Sequence, residues 1–173
     1  MKAKKAVPVL AIVTLFALIS PIVSGCGSGS PLEATKSLLR SFSKGDWEGF
    51  MKAILPDRVR SMTQEDINSW KGALESIDFD VGQLKFEVKP EGENSAIVEI
   101  VGGNIKFKKA KPGGGTLDVT KMTMTYVDPG TKKLQVEQIK GEDAESVRQN
   151  ILRYRTKKFK GRWYVDFPLA ETS

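Results

Sequence analysis

After Ile77 the spacing of apolar residues changes from three-or-four to two, and that change decides the fold class. Upstream, Leu32, Thr35, Leu38, Leu39 and Phe42 recur at helical spacing, followed by Trp47, Phe50, Met51, Ile54 and Leu55. Ile67, Trp70, Leu74 and Ile77 form a third such set. Downstream, Leu84, Phe86 and Val88 alternate with charged residues, and Ala96, Val98 and Ile100 repeat the pattern. Ile105 and Phe107 continue it, then Leu117, Val119, Met122, Met124 and Tyr126, with a shift after Val119 that reads as a bulge. Leu134, Val136 and Ile139 follow, and Trp163 to Phe167 form a last strand. Helices first and strands afterwards make an α+β chain: N-terminal helices packed on a curved, mostly antiparallel, cone-like sheet.

Local signals sharpen the elements. Ser30 caps the first helix, Pro31 suits its first turn, and Glu33 completes a capping box. Gly45 ends that helix, Asp46 caps the next, and Pro56 stops it. A third helix starts at Thr63. Turns are expected at 90–94, at Asp128-Pro129-Gly130 and at Lys160-Gly161, and Gly102-Gly103-Asn104 breaks or bends a strand. Residues 142–150 suit either a short helix, through Val147 and Ile151, or a loop.

The start of the chain has a different character. Met1 to Lys5 holds three lysines and no acid, and Ala6 to Val23 carries no charge. The apolar run closes on Val23-Ser24-Gly25-Cys26, which contains the single cysteine. This layout is that of a secretory signal, and its end resembles the lipobox of bacterial lipoproteins. The resemblance implies a signal peptide over 1–25, cleavage between Gly25 and Cys26, and a diacylglycerol, with palmitate as its kind of acyl chain, on Cys26. A short tether over 26–30 and one α+β domain over 31–173 would follow. The protein would then be extracytoplasmic and held at the cell membrane. Gly27 after the cysteine resembles the outer-membrane default wherever the host has an outer membrane. The alternative is an uncleaved span, for which Ala6–Val23 is just long enough, though Ser20, Pro21 and Gly25 weaken it.

Composition removes several chemistries. There is no histidine, which excludes Ser-His-Asp and Cys-His catalysis, the usual zinc sites and a near-neutral switch. A lipidated Cys26 leaves no thiol and no disulfide, so stability must come from a packed core. The chain has 27 basic and 21 acidic residues, and the three N-terminal lysines supply half of the net +6. The remaining excess suits anionic headgroups or wall polymers and gives no reason to expect nucleic acid. No cofactor is expected. Glu91, Glu93 and Asn94 suit a hard cation by residue type but follow no calcium-loop spacing.

Two further stretches resemble a second family. Ser30 to Leu55, SPLEATKSLLRSFSKGDWEGFMKAIL, and KGRWYVDF from Lys160 resemble the opening and the last strand of the nuclear-transport-factor-2-like superfamily, in its bacterial lipoprotein branches. Residues 102–150 have no counterpart in it. The resemblance implies a cone whose interior binds a small apolar molecule and sometimes catalyses proton transfer or dehydration, and a fold that dimerises through its sheet. Trp47, Phe50, Trp70, Phe86, Tyr126 and Trp163 are the candidate lining; the plain alternative is that they are core. With no histidine, a base would be Asp78, Asp80, Asp118 or Asp166, and spacing singles out none of them. Lys106, Lys108, Lys109 and Lys111, running into Gly113 to Gly115, form one basic patch, and Lys157, Lys158, Lys160 and Arg162 another. Each is a solvated strand face or a contact for anionic lipid or polymer. The glycine-rich loop lacks the Gly-Lys-Ser/Thr ending of a phosphate loop.

The expected function is therefore a membrane-anchored, non-enzymatic binding module for a small apolar ligand or an envelope protein. The alternatives are an isomerase- or dehydratase-like enzyme with a buried Asp, and a structural envelope protein that docks through its basic loops.

Overall fold

The computed structural model describes residues 28–108 and 114–166. The signal segment, Cys26, Gly27, Lys109, Lys111, Gly113 and Phe167 lie outside the described residues.

Four helices come first. α1 (Pro31–Lys44) starts where Ser30 Oγ accepts the Glu33 N–H at 3.2 Å and stops at Gly45, which is left-handed at φ 69°. Only half of the expected capping box is present, because the Glu33 carboxylate turns to Lys36 and Arg40 instead. Asp46 caps α2 (Trp47–Ala53) through the Gly49 N–H at 2.9 Å. Ile54 and Leu55 then leave the helix; Ile54 bridges Val165, and the Leu55 N–H donates to the Val165 carbonyl at 2.9 Å. Pro56 does not stop a helix; it opens α3 (Pro56–Ser61), since its missing N–H costs nothing in a first turn. The reciprocal capping box belongs to α4 (Gln64–Ala73), between Thr63 and Asp66. Ile77 does not continue α4. Glu75 turns left-handed at φ 64°, and Ile77 begins a strand.

The strands are β1 (Ile77–Phe79), β2 (Lys85–Pro90), β3 (Ser95–Gly102), β4 (Asn104–Phe107), β5 (Gly115–Asp118), β6 (Thr123–Val127), β7 (Leu134–Gln138), β8 (Arg153–Phe159) and β9 (Arg162–Val165). α5 (Gly141–Val147) and a π-helical turn (Arg148–Leu152) precede β8, which resolves the ambiguous stretch as helical. The strands divide into two antiparallel sheets, ordered β2-β3-β8-β9 and β1-β4-β5-β6-β7. The expected bulge after Val119 is instead a tight connection between β5 and β6. There Met122 turns left-handed at φ 51°, and the Asp118 carboxylate accepts the Lys121 N–H at 3.0 Å.

The chain passes from the first sheet to the second at Gly103, with φ 98°. A Cβ there would stand 2.7 Å from the Gln83 carbonyl, so the crossing needs glycine. α1 touches strands of both sheets. Its buried Leu38, Leu39 and Phe42 join Ile100, Tyr154 and Val165 of one sheet and Phe79, Ile105 and Leu117 of the other in one core. Each such side chain contributes about 1.5–3 kcal/mol on burial. The protein is thus α+β, helices against antiparallel sheet, as the order of the two periods requires.

Candidate functional site

Three of the six candidate lining aromatics meet. Trp47 and Trp70 lie against Phe50, with centroid distances of 5.7 and 5.8 Å, and Phe42 approaches Phe50 at 6.1 Å. Phe50 is fully buried, so it is core and its half-buried neighbours cover it. Trp70 and Phe42, with Leu38, Ile77 and Tyr154, also line a cavity of about 80 Å³. Ligand pockets measure roughly 300–1,000 Å³, and even benzene fits a cavity of about 150 Å³. The Tyr154 hydroxyl donates to the Ile151 carbonyl at 2.6 Å, and burial pushes its pKa up. Among the described residues no buried side-chain nitrogen or oxygen lacks a partner, so no orphaned polar group marks a ligand's place.

The other three aromatics lie apart. Phe86 is on β2 with the Lys36 ammonium 5.8 Å from its ring centre. Trp163 is on β9, where its backbone exchanges hydrogen bonds with Ser28. Tyr126 borders an open groove of about 360 Å³ at the end of the second sheet, beside Phe107 and Leu134.

Of the four candidate bases only Asp166 is buried, at 5 % exposure. One carboxylate oxygen takes the Arg58 Nε–H at 2.7 Å and the other lies 2.7 Å from Lys157 Nζ. Burial pushes the carboxyl up, but the hydrogen bonds from Lys157 and Arg58 outweigh it and hold Asp166 below its ordinary value. A carboxylate so held is a poor proton acceptor near neutrality; what it does is tie α3, β8 and β9 together. Spacing along the chain conceals this cluster, since Arg58 comes from a helix not foreseen in the sequence. A lone acid between Val165 and Phe167 is the one signal that hints at it. Asp118 is spent on its turn, where the Lys121 N–H lowers its pKa. Asp78 pairs in register with Lys106, and Asp80 is exposed.

The two outer sheet faces differ in chemistry. On the first sheet Glu87 stands opposite Glu99, and Lys89 reaches both at 3.4 and 2.9 Å. The Lys89 hydrogen bond holds Glu99 below its ordinary pKa, and Arg153 adds a second cation at 3.5 Å. Arg155 occupies Glu91 at 3.5 Å, drawing it away from any joint site with Glu93 and Asn94. Among the described residues no three acidic or thiol groups gather as for a metal ion. On the second sheet the outer row across β5, β6 and β7 is Thr116, Thr125 and Val136, with Val127 opposite Leu134. Leu134 and Val136 are each 66 % exposed, and β7, the last strand in its sheet, is exposed along its whole length. Alternation in Leu134-Gln135-Val136 announces a strand, but not that its apolar side faces out.

The basic residues fall on different sheets. Lys106 and Lys108 are exposed on or next to β4. Lys158, Lys160 and Arg162 gather at the β8–β9 turn, while Lys157 is drawn to Asp166. Among the described residues no helix is long and apolar enough to cross a membrane.

No protein-family model matches the chain, and no curated protein matches it. Two solved structures are similar in outline. One is the solution structure of a SEC-C motif containing protein from Rhodopseudomonas palustris, with TM-score 0.43 and 15% identity over 82% of this chain and 78% of that one. The other is an NTF-2 like protein of unknown function from Shewanella oneidensis, with TM-score 0.37 and 16% identity over 78% of this chain and 89% of that one. Likenesses of this size say nothing of activity.

Proposed function

We propose that this chain is an extracytoplasmic lipoprotein, anchored through a lipid on Cys26. Its domain, of the nuclear-transport-factor-2-like kind, works without catalysis as a binding module for an extended segment of an envelope protein. The observation that carries the reading is β7. It is an edge strand, exposed throughout, with Leu134 and Val136 on one face beside Val127. An open strand edge takes an extended polypeptide by strand addition, backbone hydrogen bonds giving affinity and alternate side chains giving specificity. Edges that are not working surfaces are commonly blunted by lysine or proline, and β7 contains neither. The small-ligand reading is weakened by the 80 Å³ cavity, and the enzymatic reading by the two cations on Asp166.

Two experiments test it. A photoreactive residue at Gln135, compared with one at Lys89, is expected to cross-link one envelope protein in the host, and Leu134→Lys with Val136→Lys to abolish the adduct. Equal adducts from both positions, or none, would refute the binding role. The mature protein's mass should include a diacylglycerol that Cys26→Ser removes; a mature chain without lipid refutes the anchor.

A further inference from the structure

The open edge of β7 is not uniform along its length. The Ile139 N–H donates to the Met122 carbonyl and the Asp128 N–H to the Lys133 carbonyl, each at 2.9 Å, so Gln135 and Glu137 are the residues of β7 bonded to β6. Leu134, Val136 and Gln138 therefore turn their N–H and carbonyl groups to the open side. A strand laid there places residues directly opposite Leu134 and Val136, on the same face as those exposed side chains.

The strand also runs between corners of opposite charge. Its start is basic. Lys132 and Lys133 are exposed just before Leu134, and exposed Lys108 borders the groove of about 360 Å³ that Val127 and Leu134 also line. Among the described residues, Lys108, Lys132 and Lys133 form no ion pair. Asp128, the acid of this corner, accepts from the Thr131 N–H and hydroxyl at 2.6 and 2.9 Å across its own turn. The far end is acidic: Glu137, Glu142 and Asp143 are exposed there against Lys140, and Lys121 is taken by Asp118.

We infer that the segment seated on β7 lies antiparallel to it and is acidic at its C-terminal end. Aliphatic side chains sit opposite Leu134 and Val136, and aspartate or glutamate side chains follow at Lys133, Lys132 and Lys108. The inference rests on the reading of β7 as an edge for strand addition. Antiparallel pairing continues the pattern of every pair in this sheet. It also carries the end of the incoming segment past Leu134 to the lysines. Opposite charges at the rim steer the encounter and fix register, and like charges reject the wrong partner. The same lysines turn away a second copy of this chain. Antiparallel overlap over the whole of Leu134–Gln138 centres on Val136 and sets Lys132 against Lys140.

The test follows the fluorescence anisotropy of rhodamine-labelled peptide amides added to the full chain in nonionic detergent. The acid-last peptide Thr-Val-Thr-Val-Glu-Asp-Glu should bind about tenfold tighter at low salt than the acid-first peptide Glu-Asp-Glu-Val-Thr-Val-Thr, through its exposed charge pairs. Its affinity should fall as salt rises. Lys132→Glu with Lys133→Glu should abolish the preference, while Lys158→Glu with Lys160→Glu, on the other sheet, leaves it unchanged. Val136→Pro, which removes an open N–H that no neighbour uses, should abolish binding of both peptides; circular dichroism checks that each variant folds. Equal binding of the two peptides, or a preference that survives reversal at Lys132 and Lys133, overturns the acid-ended partner and leaves strand addition standing. Binding of neither peptide overturns it too, and cross-linking from Gln135 then judges strand addition by itself.

Discussion

Strands β3 and β7 both alternate aliphatic and polar residues, yet Ala96, Val98 and Ile100 are buried to 2 % exposure or less while Leu134 and Val136 are two-thirds exposed. The difference is what lies above each strand. β3 sits inside its sheet with α1 across its inner face, and its outer face is closed by ion pairs among Glu87, Lys89, Glu99 and Arg153. β7 ends its sheet, and the outward row it shares with β5 and β6 is Thr116, Thr125 and Val136, with Val127 opposite Leu134. Alternation fixes which residues share a face; the cover decides whether that face is core or working surface.

The harshest way to break the contrast is to remove the cover. Phe50→Ala takes out the fully buried ring that joins Phe42, Trp47 and Trp70, and should cost about 3–5 kcal/mol in urea unfolding. Gly103→Ala attacks the crossing between the sheets, where a Cβ meets the Gln83 carbonyl, and should cost about 2 kcal/mol. Asp166→Asn loosens the tie from α3 to the first sheet. Because Arg58 and Lys157 are half exposed and screened, about 1–2 kcal/mol is expected. The folded carboxyl has a depressed pKa, so its stabilisation is full above the unfolded value of about 3.9 and is lost as pH falls through the folded one. The gap between wild type and Asp166→Asn should thus be constant near neutrality and narrow below about pH 4. Leu134→Lys or Val136→Lys should change stability by no more than about 0.5 kcal/mol, because an uncovered side chain has little packing to lose. A large loss at either position would show that β7 is covered after all.

Much of the helical half was legible because its punctuation is chemical: Ser30-Pro31 opens α1, Gly45-Asp46 separates α1 from α2, and Thr63 caps α4. The misreadings fall where backbone breaks carry no glycine. Glu75 and Met122 adopt left-handed conformations without the residue that announces them, which hid β1 and merged β5 with β6. Pro56 was ambiguous in kind, since proline both stops one helix and starts another. The division into two sheets hangs on Gly103, whose glycine was visible but whose close approach to Gln83 was not. Among candidate sites, the Trp47–Phe50–Trp70 contact follows from helical spacing. The Asp166 cluster and the Ser28–Trp163 pairing join distant parts of the chain, and no local pattern reveals them.

The most direct test of the central claim is amide hydrogen exchange of the lipidated protein in its own host membranes and again after purification in detergent. The amides of Leu134, Val136 and Gln138, which alternate with those bonded to β6 and face the open edge, should exchange slowly in the membranes, where a partner strand covers them, and quickly once purified, while the amides of Ser95 to Gly102 stay slow in both. Exchange at β7 that is equally fast in both states would contradict an edge that binds a partner strand.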